Sequence, residues 1–158
     1  MLDLIIRNGK CYIDGELKEV DVSIKDKKIH QIGQISEETK ETIDASGHTV
    51  LPGCIDTQTH FREPGSTDTE DLHSGSRAAI AGGITSVFEM PNTNPPTSNK
   101  KEFQRKLDLA KKRMYCNYAF YFGATAENAD DLASLKDLEG CCGIKLFAGS
   151  STGNLLVA

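Results

Sequence analysis

Residues 51–66 read LPGCIDTQTHFREPGS, and the fold is decided there. Val50, Leu51 and Ile55 are apolar, and Pro52 and Gly53 set the entry. Asp56, Gln58, His60, Arg62 and Glu63 then crowd together before Pro64-Gly65 breaks the chain. This is the grammar of a buried strand that delivers polar groups to its C-terminal end. Alternate residues of a strand share a face, which predicts Asp56, Gln58, His60 and Arg62 on one side. A carboxylate, an amide, an imidazole and a guanidinium together make a poor core and a good site.

Downstream of this stretch, strands alternate with helices. Asp68 or Thr69 is expected to cap a helix through Leu72, Ala79 and Ile80 that stops at Gly82-Gly83. A second strand covers 84–90. Ser98 or Asn99 then caps a helix with Phe103, Leu107, Ala110 and Met114 on one stripe. A third strand covers 119–122. Thr125 opens a third helix with Ala129, Leu132 and Leu135 inward, and a fourth strand covers 143–147. The Gly/Ser-rich segment 149–153 follows as a loop. Such alternation implies parallel βα units, which close as a doubly wound sheet or as an eight-stranded barrel. The first βα connection carries no glycine fingerprint for dinucleotides, and the polar groups lie at strand C-terminal ends, as barrel enzymes place them.

Upstream, residues 1–50 read as short strands. Asn8-Gly9 and Asp14-Gly15 are turn signals. Val20, Val22 and Ile24 alternate with polar residues, and Ile29 and Ile32 resume the apolar face. His30 and His48 have no ligand spaced nearby and read as surface or packing residues.

The chain has 158 residues, 38% hydrophobic and 26% charged, with a net charge of −5. That charge argues against a nucleic-acid surface. No run of about 18 apolar residues is present to cross a membrane. Five cysteines without a CxxC fit reduced, mostly buried thiols in a cytoplasmic protein. The basic run from Lys100 to Arg113, interleaved with apolar residues at helical spacing, reads as a solvated helix face.

The stretch DTQTHFREPG resembles the first barrel strand of the cyclic-amide hydrolases of the amidohydrolase superfamily, and dihydroorotases most closely. The resemblance implies an α/β fold: a small β-sandwich-like module over 1–50, then the first half, about four strands, of a (β/α)8 metal-dependent hydrolase barrel over 51–158. It implies zinc, two ions in the family. His60 is then a metal ligand, and Lys145 a second one as a carbamate. Gln58 stands where the family has its first metal-binding histidine, and an amide oxygen is a poor substitute for imidazole at zinc. Arg62 and Asn92 become the substrate-binding pair, the guanidinium matching a carboxylate with two parallel hydrogen bonds. The alternative for Arg62 is a surface residue paired with Asp56 or Glu63. Asp56 supports the site, Glu63 shapes a loop, and His73 is structural.

The implied reaction is reversible zinc-dependent hydrolysis of dihydroorotate to N-carbamoyl-aspartate in pyrimidine biosynthesis. The resemblance puts the remaining histidine ligands and the proton-moving aspartate beyond Ala158. No catalytic residue is therefore expected within this chain, which should be inactive alone. Three readings stay open: a truncated or decayed relative, a fragment of a longer enzyme, and a non-catalytic partner that self-associates or joins another subunit such as aspartate transcarbamoylase through its open edges. A hydantoinase- or allantoinase-type cyclic amidase is the alternative to dihydroorotase.

Overall fold

A computed structural model describes residues 1–149 and 155–157, and the chain forms two compact units, Met1–Pro52 and Gly53–Ala158. The first holds β1 (Leu2–Arg7), β2 (Lys10–Ile13), β3 (Glu16–Glu19), β4 (Asp21–Lys25), β5 (Lys28–Gly33), β6 (Thr39–Asp44) and β7 (Thr49–Val50). They make two sheets, ordered β5-β4-β1-β6 and β3-β2-β7. The β2–β3 hairpin turns on Asp14 (φ 52°) and Gly15 (φ 86°), and the β4–β5 hairpin on Asp26 (φ 52°) and Lys27 (φ 64°). Two left-handed residues give the turn a twist that matches the strands. Leu2, Ile5 and Ile35 form the small core.

Two expectations for this unit fail. Ile29 and Ile32 are exposed rather than facing a core. In β4 the apolar alternation breaks at Ser23, which is buried and donates its hydroxyl to the Gln31 carbonyl at 3.3 Å. The pairing with β5 shifts register between Ser23 and Ile24, so strict alternation cannot persist there.

The second unit runs β8 (Cys54–Thr59), α1 (Leu72–Ala81), β9 (Ile84–Glu89), α2 (Lys100–Ala110), β10 (Asn117–Gly123), a 3-10 helix (Ala126–Leu135) and β11 (Cys141–Lys145). The sheet order is β11-β10-β9-β8 and every pair is parallel. A doubly wound sheet reverses its order at a switch point. Here each strand is laid beside its predecessor, as in a barrel wall. Val87, Phe120 and Phe122 of the sheet pack against Leu72 of α1 and against Phe103 and Ala110 of α2. This burial of large apolar side chains is the main source of stability.

The helix signals are read with one correction each for α1 and the third helix. Asp71, not Asp68 or Thr69, caps α1 and accepts from the Ser74 N–H at 2.6 Å. Asn99 caps α2, and Gly82-Gly83 ends α1, as expected. The third helix is 3-10, with three residues per turn. That period puts Leu135 inward, leaves Leu132 partly buried and turns Ala129 to solvent.

β8 is not the buried strand its sequence suggests. Ile55 is 58% exposed and of its six residues only Thr59 is buried. The reason is its place: β8 forms the sheet edge among the described residues. Cys54 is exposed as well, so only Cys11 and Cys116 of the five free thiols are buried.

Candidate functional site

Strict strand alternation does not run from Asp56 through to Arg62. Pairing with β9 shifts register between Asp56 and Thr59, the strand ends at Thr59, and Arg62 adopts φ 62°. The Asp56 carboxylate accepts from the Gln58 N–H at 2.9 Å, within its own strand. Gln58 is exposed. Phe61 turns inward against α1, where Gly75 makes room: a Cβ there would lie 2.4 Å from the Phe61 ring.

His60 and Asn92 meet at the strand ends. His60 Nδ1 is 3.0 Å from Asn92 Oδ1. A carbonyl-type oxygen only accepts, so Nδ1 carries the proton and Nε2 keeps its lone pair. Burial is the main cause that lowers the His60 pKa; the Asn92 hydrogen bond opposes it, and the charges of Arg62, Lys145 and Lys106 reinforce it. Burial thus favours the neutral imidazole, with Nε2 as its basic nitrogen.

The loop that carries Asn92 is tied internally. The Thr97 N–H donates to the Pro91 carbonyl at 2.9 Å, and the Thr93 hydroxyl lies 2.9 Å from the Pro95 carbonyl and 3.2 Å from the Thr97 hydroxyl. It is also tied to the loop after β8, since the Asn94 N–H donates to the Pro64 carbonyl at 2.9 Å.

Beneath these loops lies a buried ion pair that the sequence reading missed. Glu89, at the end of β9, faces Lys106 of α2, and both are essentially inaccessible. Glu89 Oε1 accepts from the Phe61 N–H at 3.2 Å, and Lys106 Nζ donates to the Met90 carbonyl at 2.9 Å. Desolvation pushes the Glu89 carboxyl up to about 7 against the opposing pull of Lys106, and burial lowers the lysine. The basic run is therefore not wholly a solvated face. Lys106 falls on the stripe of Phe103 and Ala110, all three buried, and that register was the available signal.

Glu63 has the loop-shaping place expected of it. Its Oε2 accepts from the Leu72 N–H at 2.9 Å at the start of α1, and its Oε1 accepts from Arg113 at 2.7 Å. Arg113 thus takes the carboxylate that Arg62 was weighed against, and among the described residues Arg62 makes no ion pair. His73 stacks edge-on to Tyr115, with the phenol oxygen 3.3 Å from its Nε2.

Lys145 ends β11, half-buried, with Nζ 5.2 Å from the centre of the Phe147 ring. Its charge is felt at His60. Among the described residues no three His, Cys, Asp or Glu side chains converge on a point that would hold a metal ion. One imidazole, a lysine over a phenyl ring and an exposed glutamine do not by themselves fit a two-metal centre.

The model of the family described as "Amidohydrolase family" matches residues 49–144. The chain belongs to the amidohydrolase family. An allantoinase from Escherichia coli is 40% identical to this amidohydrolase chain over 149 residues, which are 94% of the chain and 33% of the relative. The L-hydantoinase (dihydropyrimidinase) from Arthrobacter aurescens superposes with a TM-score of 0.90 at 30% identity, over 100% of this chain and 36% of that one. A D-hydantoinase superposes with a TM-score of 0.82 at 32% identity, over 100% and 35%. The chain spans about a third of the length of the relatives it matches. Its fold is a small β module with a parallel part-barrel of the hydantoinase kind. No helix among the described residues is long and apolar enough to cross a membrane.

Proposed function

We propose that this chain carries the first-strand side of a cyclic-amide hydrolase site, of the hydantoinase and allantoinase kind. The identity to allantoinase across 94% of the chain carries the reading. It is supported by the neutral imidazole of His60, hydrogen-bonded to Asn92 at the strand ends. In such a reaction water adds to a ring amide carbonyl, the C–N bond breaks, the released nitrogen takes a proton, and an open-chain ureido acid results. Asn92 and Arg62 orient the ring, with Asn92 held by its loop and Arg62 by its left-handed backbone. The residues described here offer one imidazole for the chemistry. On this reading the 158-residue polypeptide binds cyclic amides and does not turn them over by itself.

Arg62 favours a second reading. A guanidinium beside His60 with no ion-pair partner among the described residues suits a substrate carboxylate, as in dihydroorotate. Titration of isotope-labelled protein with allantoin, hydantoin and dihydroorotate separates the two. Shifts at His60 and Asn92 with allantoin or hydantoin are expected. Selective response to dihydroorotate, abolished by Arg62→Ala, would return the dihydroorotase reading. No response to any of the three would overturn both.

A further inference from the structure

We propose that the buried Glu89–Lys106 pair is a positioning device for the His60–Asn92 hydrogen bond. The connections form a closed ring. Phe61, directly after His60, donates its N–H to Glu89 Oε1 at 3.2 Å. Glu89 Oε2 faces the Lys106 ammonium and takes no hydrogen bond from any other group among the described residues. Lys106 Nζ donates to the Met90 carbonyl at 2.9 Å, and its charge lies 5.1 Å from the centre of the Phe120 ring. Met90 is joined to Asn92 through Pro91, whose ring fixes its own φ. Asn92 Oδ1 closes the ring on His60 Nδ1 at 3.0 Å.

The chemistry explains why a charge pair stands at this place. Thr59 and Glu89 are the last paired residues of β8 and β9, with the Met90 N–H donating to the Thr59 carbonyl at 3.0 Å. Beyond that point the Phe61 N–H and the Met90 C=O have left the ladder, yet they lie in the interior and need partners. An acid supplies the acceptor and an amine the donor, and their mutual attraction joins the two chain segments. Two unlinked neutral partners would satisfy both groups without fixing one segment against the other. A buried ion pair is weak evidence for stability, since apolar replacement is often neutral. Its value here is the placing of the imidazole.

The proposal rests on His60 and Asn92 being site residues. Its test reads the His60 ring itself, so it stands or falls separately from cyclic-amide binding. Imidazole nitrogen spectra of the whole 158-residue protein report which ring nitrogen carries the proton. The unmutated protein is expected to show the Nδ1–H form. In the double variant Glu89→Leu with Lys106→Met, which keeps volume and removes both charges, that preference should fall about fivefold to tenfold while the sheet signals stay dispersed. A folded double variant with the His60 signature unchanged overturns the proposal. If the double variant does not fold, the unmutated protein still decides. The Phe61 amide should then exchange with solvent about 100-fold or more slowly than an unstructured amide. Exchange at the rate of exposed loop amides would overturn the proposal.

Discussion

His60 Nδ1 and Asn92 Oδ1 lie 3.0 Å apart although 32 residues separate them in sequence. The contact joins the ends of two neighbouring parallel strands, and it favours the imidazole tautomer with the proton on Nδ1. Everything that holds the two loops in register acts on this pair, including the link from Asn94 to Pro64.

Removing one partner of the buried ion pair should be costly and pH-dependent. Lys106→Met leaves the Glu89 carboxyl without the attraction that opposes its desolvation, so its pKa rises above the present value of about 7. A raised carboxyl binds its proton more tightly in the folded chain than in the unfolded one. The variant's stability is therefore fullest below the ordinary value of 4.5 and is lost as pH rises through the folded value. Urea unfolding near pH 8 should show a loss of about 3–5 kcal/mol, shrinking toward pH 4. Equal losses at both pH values would contradict the assignment.

Gly75 tests the seat of Phe61. Alanine is worth about 1 kcal/mol over glycine inside a helix, so a free surface would make Gly75→Ala stabilising. A Cβ at this position meets the Phe61 ring at 2.4 Å, and overpacking costs about 1–3 kcal/mol. A lower melting temperature is expected, with perturbed His60 signals, because Phe61 is the next residue. A higher melting temperature would show that Phe61 packs elsewhere.

The cap of α1 should be visible in acid. The Ser74 backbone N–H is the first cause that holds the Asp71 carboxyl below its ordinary 3.8, with Arg113 adding a smaller pull. A depressed pKa contributes stability above 3.8 that disappears as pH falls through the folded value. Asp71→Ala is expected to lose about 1 kcal/mol at pH 7 and much less near pH 2. Guanidinium melts at the two pH values check this, and a pH-independent difference would assign the loss to helix geometry alone.

Zinc affinity should respond to position 58. Gln58 is two residues from His60 near the end of β8, and it presents an amide rather than an imidazole. Gln58→His is expected to tighten zinc binding roughly tenfold or more, as a second nitrogen ligand would. Calorimetric titration with zinc measures it. Unchanged affinity would mean that the register shift between Asp56 and Thr59 keeps the two side chains from converging on one ion.

The order of the elements was legible because strand runs, caps such as Asn99 and stops such as Gly82-Gly83 are local signals. His60 and Asn92 were legible as strand-end polar residues. Their direct hydrogen bond was not, because it depends on how two loops dock. Arg62 escaped the alternation argument because a left-handed backbone at a non-glycine residue leaves no trace in composition. Lys106 was misread because charge was taken as a mark of solvent, although its spacing from Phe103 and Ala110 put it on the buried stripe. Its partner Glu89 gave no local signal, since the cation that faces it comes from another element. Ala129 failed because a 3-10 turn carries side chains at a different period from the α-helix assumed.

We propose that these residues hold substrate-side groups of a cyclic-amide hydrolase and, among those described, too few ligands to carry out the ring opening. Ring opening of allantoin by the purified 158-residue polypeptide with zinc supplied, followed as release of the open-chain ureido acid, tests it most directly. The expected result is no product above that formed in the zinc-containing buffer. Sustained turnover by this polypeptide alone would contradict the claim.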